Sequence, residues 1–253
     1  MTKICNLAQL TGLTIGLVLL SGCASNQARG HGEVYDPFEP VNRTVYRFNE
    51  LADKYAMRPV AKGYQTITPS VVRTGITNFF DNISYPVDII NALLQGKFRQ
   101  GGRDTARLAV NTTIGILGFM DPATNMGLIK HDEDFGQTFG AWGIPQGPYI
   151  VVPIFGPRTI RSGVGDLAGI YVNPQFQIFN SSVQTKLNIF WLVHVRSTLL
   201  GFDEEIQRAF DPYAFVRDSY LQHRQYLLYD GEPPEPDFDF SDEEFDDFDE
   251  EFE

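Results

Sequence analysis

Residues 135–157 carry no charged side chain over 23 positions, the length of a membrane-spanning helix, yet they include five glycines (136, 140, 143, 147, 156) and four prolines (145, 148, 153, 157). Proline removes a helical N–H and clashes with the preceding turn, and an interior glycine costs about 1 kcal/mol relative to alanine, so a regular spanning helix is excluded. A second uncharged run, residues 167–185, is interrupted by Gly169 and Pro174. Irregular backbone is tolerated at membrane depth only where protein or a water-filled cavity satisfies its N–H and C=O groups. Two arrangements meet that condition: loops lining a polar cavity within a body whose outside is apolar, or long buried loops around a soluble core.

The N-terminus places the chain at a membrane. Lys3 precedes an apolar segment from Leu13 to Leu20, too short to cross a bilayer, which closes in Leu20-Ser21-Gly22-Cys23, the pattern a lipoprotein signal peptidase cuts. Cys23 is then the first mature residue and the lipid attachment site. A diacylglycerol thioether plus an amide-linked acyl chain such as palmitate gives three chains, more than the two signals stable anchoring needs. Ala24 follows, not the aspartate that favours retention at the inner membrane, so sorting to the outer membrane is expected. Cys5 leaves with the signal and Cys23 is acylated, so the mature chain forms no disulfide.

Removing 22 residues from 253 leaves 231, enough for one large domain with its own core. The chain divides into a signal peptide (1–22), a lipidated tether rich in small and polar residues (23–35), a structured body (36–229) and an acidic tail (230–253). Of 32 acidic residues, 14 lie in that tail, which has no Lys or Arg. The body is therefore nearly neutral, and no basic stripe suits nucleic acid.

Helical periodicity dominates the body. Val41, Val45, Phe48, Leu51 and Tyr55 form one stripe, with Arg43, Arg47 and Lys54 largely opposite, and Arg58-Pro59 is expected to end that helix. Thr68-Pro69 starts a second, carrying Val72, Ile76, Phe79, Phe80 and Ile83, and Pro86 opens a third that reaches Gly96. Residues 103–120 read as a fourth. Ser181 and Gln184 fit a capping box ahead of an apolar helix ending at Gly201, and Asp211-Pro212 starts another that reaches Tyr229. Only residues 149–155 look like a strand, interrupted by Pro153. A mainly α body of amphipathic helices and Gly/Pro-rich loops is expected.

No catalytic constellation is present. The four histidines lack metal spacing, and His194, within an apolar helix, reads as a hydrogen-bonded core residue. Asp132, Glu133 and Asp134 lack the spacing of a calcium loop and read as a solvated turn. Ile160 stands where a G-x-S-x-G elbow around Ser162 needs glycine, which argues against a lipase. Gly163, Gly165 and Ala168 match a dinucleotide pattern, but no acid follows Asp166 until Asp203, so the ribose carboxylate is missing. Neither enzyme activity, metal nor cofactor is expected.

Three runs carry a resemblance: DPFEPVNRTVYRFN (36–49), NFFDNISYPVDIINALLQGKF (78–98) and FGQTFGAWGIPQGPYIVVPIFGPRTIR (135–161). With the lipobox and their order, they resemble the MlaA (VacJ) family of outer-membrane phospholipid-removal lipoproteins, over residues 36–229. The resemblance implies a ring-like or disc-like helical body in the inner leaflet of the outer membrane beside trimeric porins. Its central amphipathic channel would take mislocalised phospholipid from the outer leaflet to a periplasmic phospholipid carrier protein, maintaining lipid asymmetry. A headgroup in such a channel needs polar company and the acyl tails need an apolar side. On that basis Asn42, Asn49, Gln137 and Thr138 are candidate polar lining, Phe48, Phe139, Tyr149 and Phe155 candidate apolar lining, and Gly147 and Pro148 candidate loop-shaping residues. The rival is a non-transporting envelope or porin-scaffolding lipoprotein. In the tail, Phe238, Phe245, Phe248 and Phe252 would share one face of a helix. That segment is either a solvated acidic appendage or a motif that folds as it docks on the carrier.

Overall fold

The computed structural model describes residues 36–178 and 180–234; Cys23, the tether and the tail phenylalanines lie outside them. The body is mainly helical, as its periodicity implies. Helix α1 (Glu39–Ala52), with Pro40 harmlessly in its first turn, passes through a π segment (Asp53–Met57) into α2 (Arg58–Ile67). The expectation that Arg58-Pro59 stops the helix is overturned. Pro59 has no N–H to donate and its ring crowds the turn behind it. Widening that turn to i→i+5, with the Arg58 N–H bonded to the Asp53 carbonyl, relieves the crowding without ending the helix.

Helix α3 (Ser70–Leu94) contains Pro86 instead of beginning there, and Pro69 precedes its first turn without a side-chain cap. Around the disturbed turn the Ser84 hydroxyl donates to the carbonyls of Phe80 (2.8 Å) and Asp81 (3.2 Å). Packing against α4 (Phe98–Thr113) holds the two halves as one rod. Helix α4 stops at Thr113, short of the expected Met120, because the chain turns left-handed at Ile116 (φ 54°), Leu117 (φ 56°) and Gly118 (φ 86°). The Gly118 N–H returns to the Asn111 carbonyl at 2.8 Å, and a β-carbon on Gly118 would lie 2.2 Å from Cβ of Asn82, so glycine is required there.

After α5 (Pro122–Asn125) and α6 (Phe135–Ala141) comes one hairpin, β1 (Tyr149–Val152) and β2 (Gly156–Thr159), antiparallel with Tyr149 opposite Thr159 and Val152 opposite Gly156. The sequence suggested only the first strand. Then follow α7 (Ile160–Val172), α8 (Pro174–Ile178), α9 (Ser181–Thr198), a 3₁₀ turn (Leu199–Phe202), α10 (Asp203–Arg208) and α11 (Pro212–Leu228). Ser162 belongs to a capping box with Thr159 at the start of α7. Asn180, not Ser181, caps α9 by accepting from the Val183 N–H (3.0 Å), while Asp211 caps α11 as expected.

The inside and outside of this body are exchanged relative to a soluble protein. Among the described residues, fifteen polar or charged side chains are buried against eight hydrophobic ones. Val41, Phe48, Leu51 and Tyr55, four members of the stripe along α1 and the π segment, are exposed, and only Val45 of that stripe packs against the small core of Tyr149, Val151 and Tyr213. Ile160, Val164, Leu167 and Tyr171 form a similar exposed stripe on α7. No helix among the described residues is long and apolar enough to cross a membrane.

The buried polar groups are tied to one another. Glu133, 4% exposed, accepts from Gln95 (2.7 Å), Gln100 (2.8 Å) and Lys97 (2.8 Å), and Asp134 caps α6 while pairing with Arg224. The solvated-turn reading therefore fails for these two acids: donors from the α3–α4 junction and from α11 converge on them. His194 is the core residue expected. Its Nδ1 lies 2.9 Å from the Tyr64 hydroxyl and its Nε2 2.8 Å from Thr77 Oγ1. Both ring nitrogens are thus engaged by hydroxyl groups, which fixes the ring within the core.

Candidate functional site

Two asparagines seven positions apart, two helical turns, present their amides from α1 to the free edge of β1. Asn42 donates to the Tyr149 carbonyl (3.0 Å) and accepts from the Val151 N–H (2.9 Å). Asn49 repeats the pattern on the Val152 carbonyl (3.0 Å) and the Ile154 N–H (2.7 Å). Each amide stands in for a neighbouring strand, so an edge that would otherwise be open is closed by a helix. At the other end of this seam, Arg43 forks onto Asp211 (2.6 and 3.1 Å) and Tyr213 donates to Asp36, fastening α11 to α1.

Between α1, the hairpin, the 3₁₀ turn, α10 and α11 lies a cavity of about 620 Å³, a size suited to a ligand. Its lining includes the apolar side chains of Val151, Leu199, Phe202, Ile206, Phe215 and Val216. It also carries four charges in alternation. Arg196 bonds Asp53 (2.6 and 2.9 Å) and Asp203 (2.7 Å), and Arg58 lies 3.1 Å from Asp53 and 3.3 Å from Asp203. The π segment makes this possible, since residues 53 and 58 are five apart and a turn closed i→i+5 brings them to one side. Burial opposes ionisation of Asp53, but the hydrogen bonds and charges of Arg196 and Arg58 outweigh it and hold the carboxyl below its usual value. Hydrogen bonding to Asp53, against burial and with help from Asp203, holds Arg196 above its ordinary value. With two arginines and two aspartates, the formal charges of the quartet sum to zero.

Of the eight lining candidates read from the sequence, Asn49 and Tyr149 line this cavity. Tyr149 is 1% exposed; burial, then the charge of Asp36, pushes its phenol up, and its hydroxyl has no hydrogen-bond partner among the described residues. The other six lie outside the cavity. Asn42 is engaged on β1. Gln137 and Thr138 are buried under α3, where Thr138 donates to Asn91 (2.7 Å) and Gln137 to the Asp132 carbonyl (3.1 Å). Phe139 sits between the rings of Phe135 and Trp142, and Phe48 and Phe155 face outward, Phe155 at 70% exposure. Gly147 has φ 71°, and a β-carbon there would meet Ile160 at 3.1 Å; the Pro148 carbonyl receives the Ile160 N–H (3.2 Å), so this loop seats the start of α7.

Sequence reasoning missed the quartet. Its members are scattered over 150 positions, and the one local signal, Arg58-Pro59, points to a helix end when read alone. Among the described residues no group of three or more His, Cys, Asp or Glu could hold a metal ion.

A family model described as MlaA lipoprotein matches residues 34–227. The chain is 35% identical, over 88% of its length and 90% of the relative's, to the "Intermembrane phospholipid transport system lipoprotein MlaA" of Escherichia coli (strain K12). It is 32% identical, over the same shares, to the Haemophilus influenzae protein of that name. Among solved structures, one described as "Structural basis for maintenance of bacterial outer membrane lipid asymmetry" matches with a TM-score of 0.70 and 31% identity, covering 77% of this chain and all of that one.

Proposed function

We propose, from the premise that this chain belongs to the MlaA lipoprotein family, that it removes phospholipid from the outer leaflet of the outer membrane through the cavity beside α1 and α11. It is lipid-anchored at Cys23 and passes the lipid to a periplasmic carrier for return transport. The observation that carries this reading is the pairing, in the lining of one cavity, of apolar side chains with fixed charges. An acyl chain moves along Phe202, Ile206 and Phe215 while its headgroup keeps polar contact with Asn49 and the quartet, which avoids the cost of a headgroup in hydrocarbon. The outward stripes on α1 and α7 suit acyl surroundings in the inner leaflet, where trimeric porins are the neighbours. The acidic tail, with Phe238, Phe245, Phe248 and Phe252, is the segment offered to the carrier.

Ser219, exposed on α11 and lining the cavity, gives the test. Ser219→Trp fills the path without disturbing a buried contact. Cells carrying it should show phospholipid in the outer leaflet while the protein remains abundant in the outer membrane. Unchanged outer-leaflet lipid would refute the path and leave the porin-scaffolding role.

A further inference from the structure

The groups on the cavity wall that remain without partners are of two kinds, and together they match one class of headgroup. Arg58 engages Asp53 and Asp203 through Nε and Nη2, and Arg196 uses the same two nitrogens. Nη1 of each, with its two N–H donors, makes no hydrogen bond among the described residues. Both arginine side chains are partly exposed, at 22% and 15%. A guanidinium already balanced by carboxylates still has directed donors for phosphate oxygens, the geometry arginine uses best.

The second kind is anionic. Besides the neutral quartet, the charged residues lining the cavity are Glu50 and Glu205, both exposed. Neither side chain has a hydrogen-bond or ion-pair partner among the described residues. The wall therefore carries a net charge of −2, all of it on these two carboxylates, and no lysine or histidine lines it to offset them. A headgroup bearing only a phosphate meets the arginine donors but a negative field. One that also bears an ammonium meets both.

Resting on the reading of this cavity as a phospholipid path, we infer that it selects by headgroup, favouring zwitterionic phospholipid whose phosphate is followed by a primary ammonium over anionic phospholipid. Arg58 and Arg196 receive the phosphate oxygens, and Glu50 and Glu205 receive the ammonium. The apolar lining side chains make the lipid, not the free headgroup, the ligand.

The test uses the full-length lipidated protein in vesicles of equimolar phosphatidylethanolamine and phosphatidylglycerol with identical acyl chains. Protein is extracted in mild detergent and its bound lipid quantified by mass spectrometry. Lipid held by wild type in excess of Ser219→Trp is taken as cavity lipid. That lipid should be enriched in phosphatidylethanolamine about three- to tenfold, the change expected of two exposed ion pairs, and the enrichment should shrink as salt rises. The isosteric pair Glu50→Gln with Glu205→Gln should return the ratio to about one. Equal loading of the two lipids in wild type, or an enrichment unchanged in the double variant, overturns the headgroup inference while leaving the path intact. No excess of either lipid over Ser219→Trp overturns the path itself. Soluble phosphoethanolamine at the same concentration should not displace the bound lipid, and displacement would show that the free headgroup suffices.

Discussion

Replacing Asn42 with alanine should be the most damaging single change on the α1 seam, by a margin that can be worked out from its bonds. The amide is 3% exposed and donates to Asp36 (2.8 Å) as well as to the Tyr149 carbonyl, while accepting from the Val151 N–H. Both groups face the edge of β1 away from β2, so β2 cannot take over. Two buried backbone groups of β1 lose their partners, each at about 1–3 kcal/mol, and Asp36 loses a donor. A loss of about 2–5 kcal/mol follows. The equivalent change at Asn49, whose bond to Ile154 is exposed, should cost about 1 kcal/mol because water can replace the amide. Asn42→Asp keeps the acceptor for Val151 but sets a second oxygen against the Tyr149 carbonyl and the Asp36 carboxylate. It should be destabilised at neutral pH and recover toward wild type as acid protonates it. Urea unfolding in detergent, followed by the fluorescence of Trp142 and Trp191, measures all three. An Asn42→Ala loss below about 0.5 kcal/mol, or a larger loss at Asn49, would refute the strand-substitute account.

His194 supplies a pH test. Burial, then the charge of Arg73, holds its pKa below the usual 6.5, so the unfolded chain binds the proton more readily. Its contribution is complete above about pH 6.5 and is lost as pH falls from there through the lower folded value. Stability should therefore decline as pH falls below about 6.5 by up to ~1.4 kcal/mol per pH unit, a slope that His194→Gln should flatten; identical slopes in the two proteins would rule the assignment out. Cys23→Ser should abolish incorporation of labelled fatty acid and release the protein from the outer-membrane fraction, and labelling at the wild-type level would contradict the anchor.

Much of the scaffold could be read from residue order. The apolar spacing of α1 and the Asp211-Pro212 start of α11 rest on interactions within one or two turns, and the apolar helix around His194 pointed to its burial although its partners Tyr64 and Thr77 lie on distant elements. The errors came where a local rule met a distant partner. Arg58-Pro59 and Pro86 are helix breakers in isolation, yet a π turn absorbs one and packing against α4 absorbs the other. Glu133 has no local reason to be buried, and its three donors come from more than thirty positions away. Among the sites, Asn49 and Tyr149 were legible because α1 and the uncharged run pointed to them. Asp53, Arg58, Arg196 and Asp203 were not, because no spacing relates residues 53 and 58 to 196 and 203 until the chain has folded.

By itself the sequence determined that the body is helical, that its helices are two-faced, and that residues 135–157 cannot be a spanning helix, since these follow from periodicity and from the backbone limits of glycine and proline. Periodicity has no sign, however: a stripe such as Val41, Phe48, Leu51 and Tyr55 reads the same whether it faces a core or lipid. Only the tertiary structure decided that it faces outward. There the amides of Asn42 and Asn49 find the backbone of β1 on the inner side, and a hydrogen bond is strongest, and its absence most costly, where water is excluded.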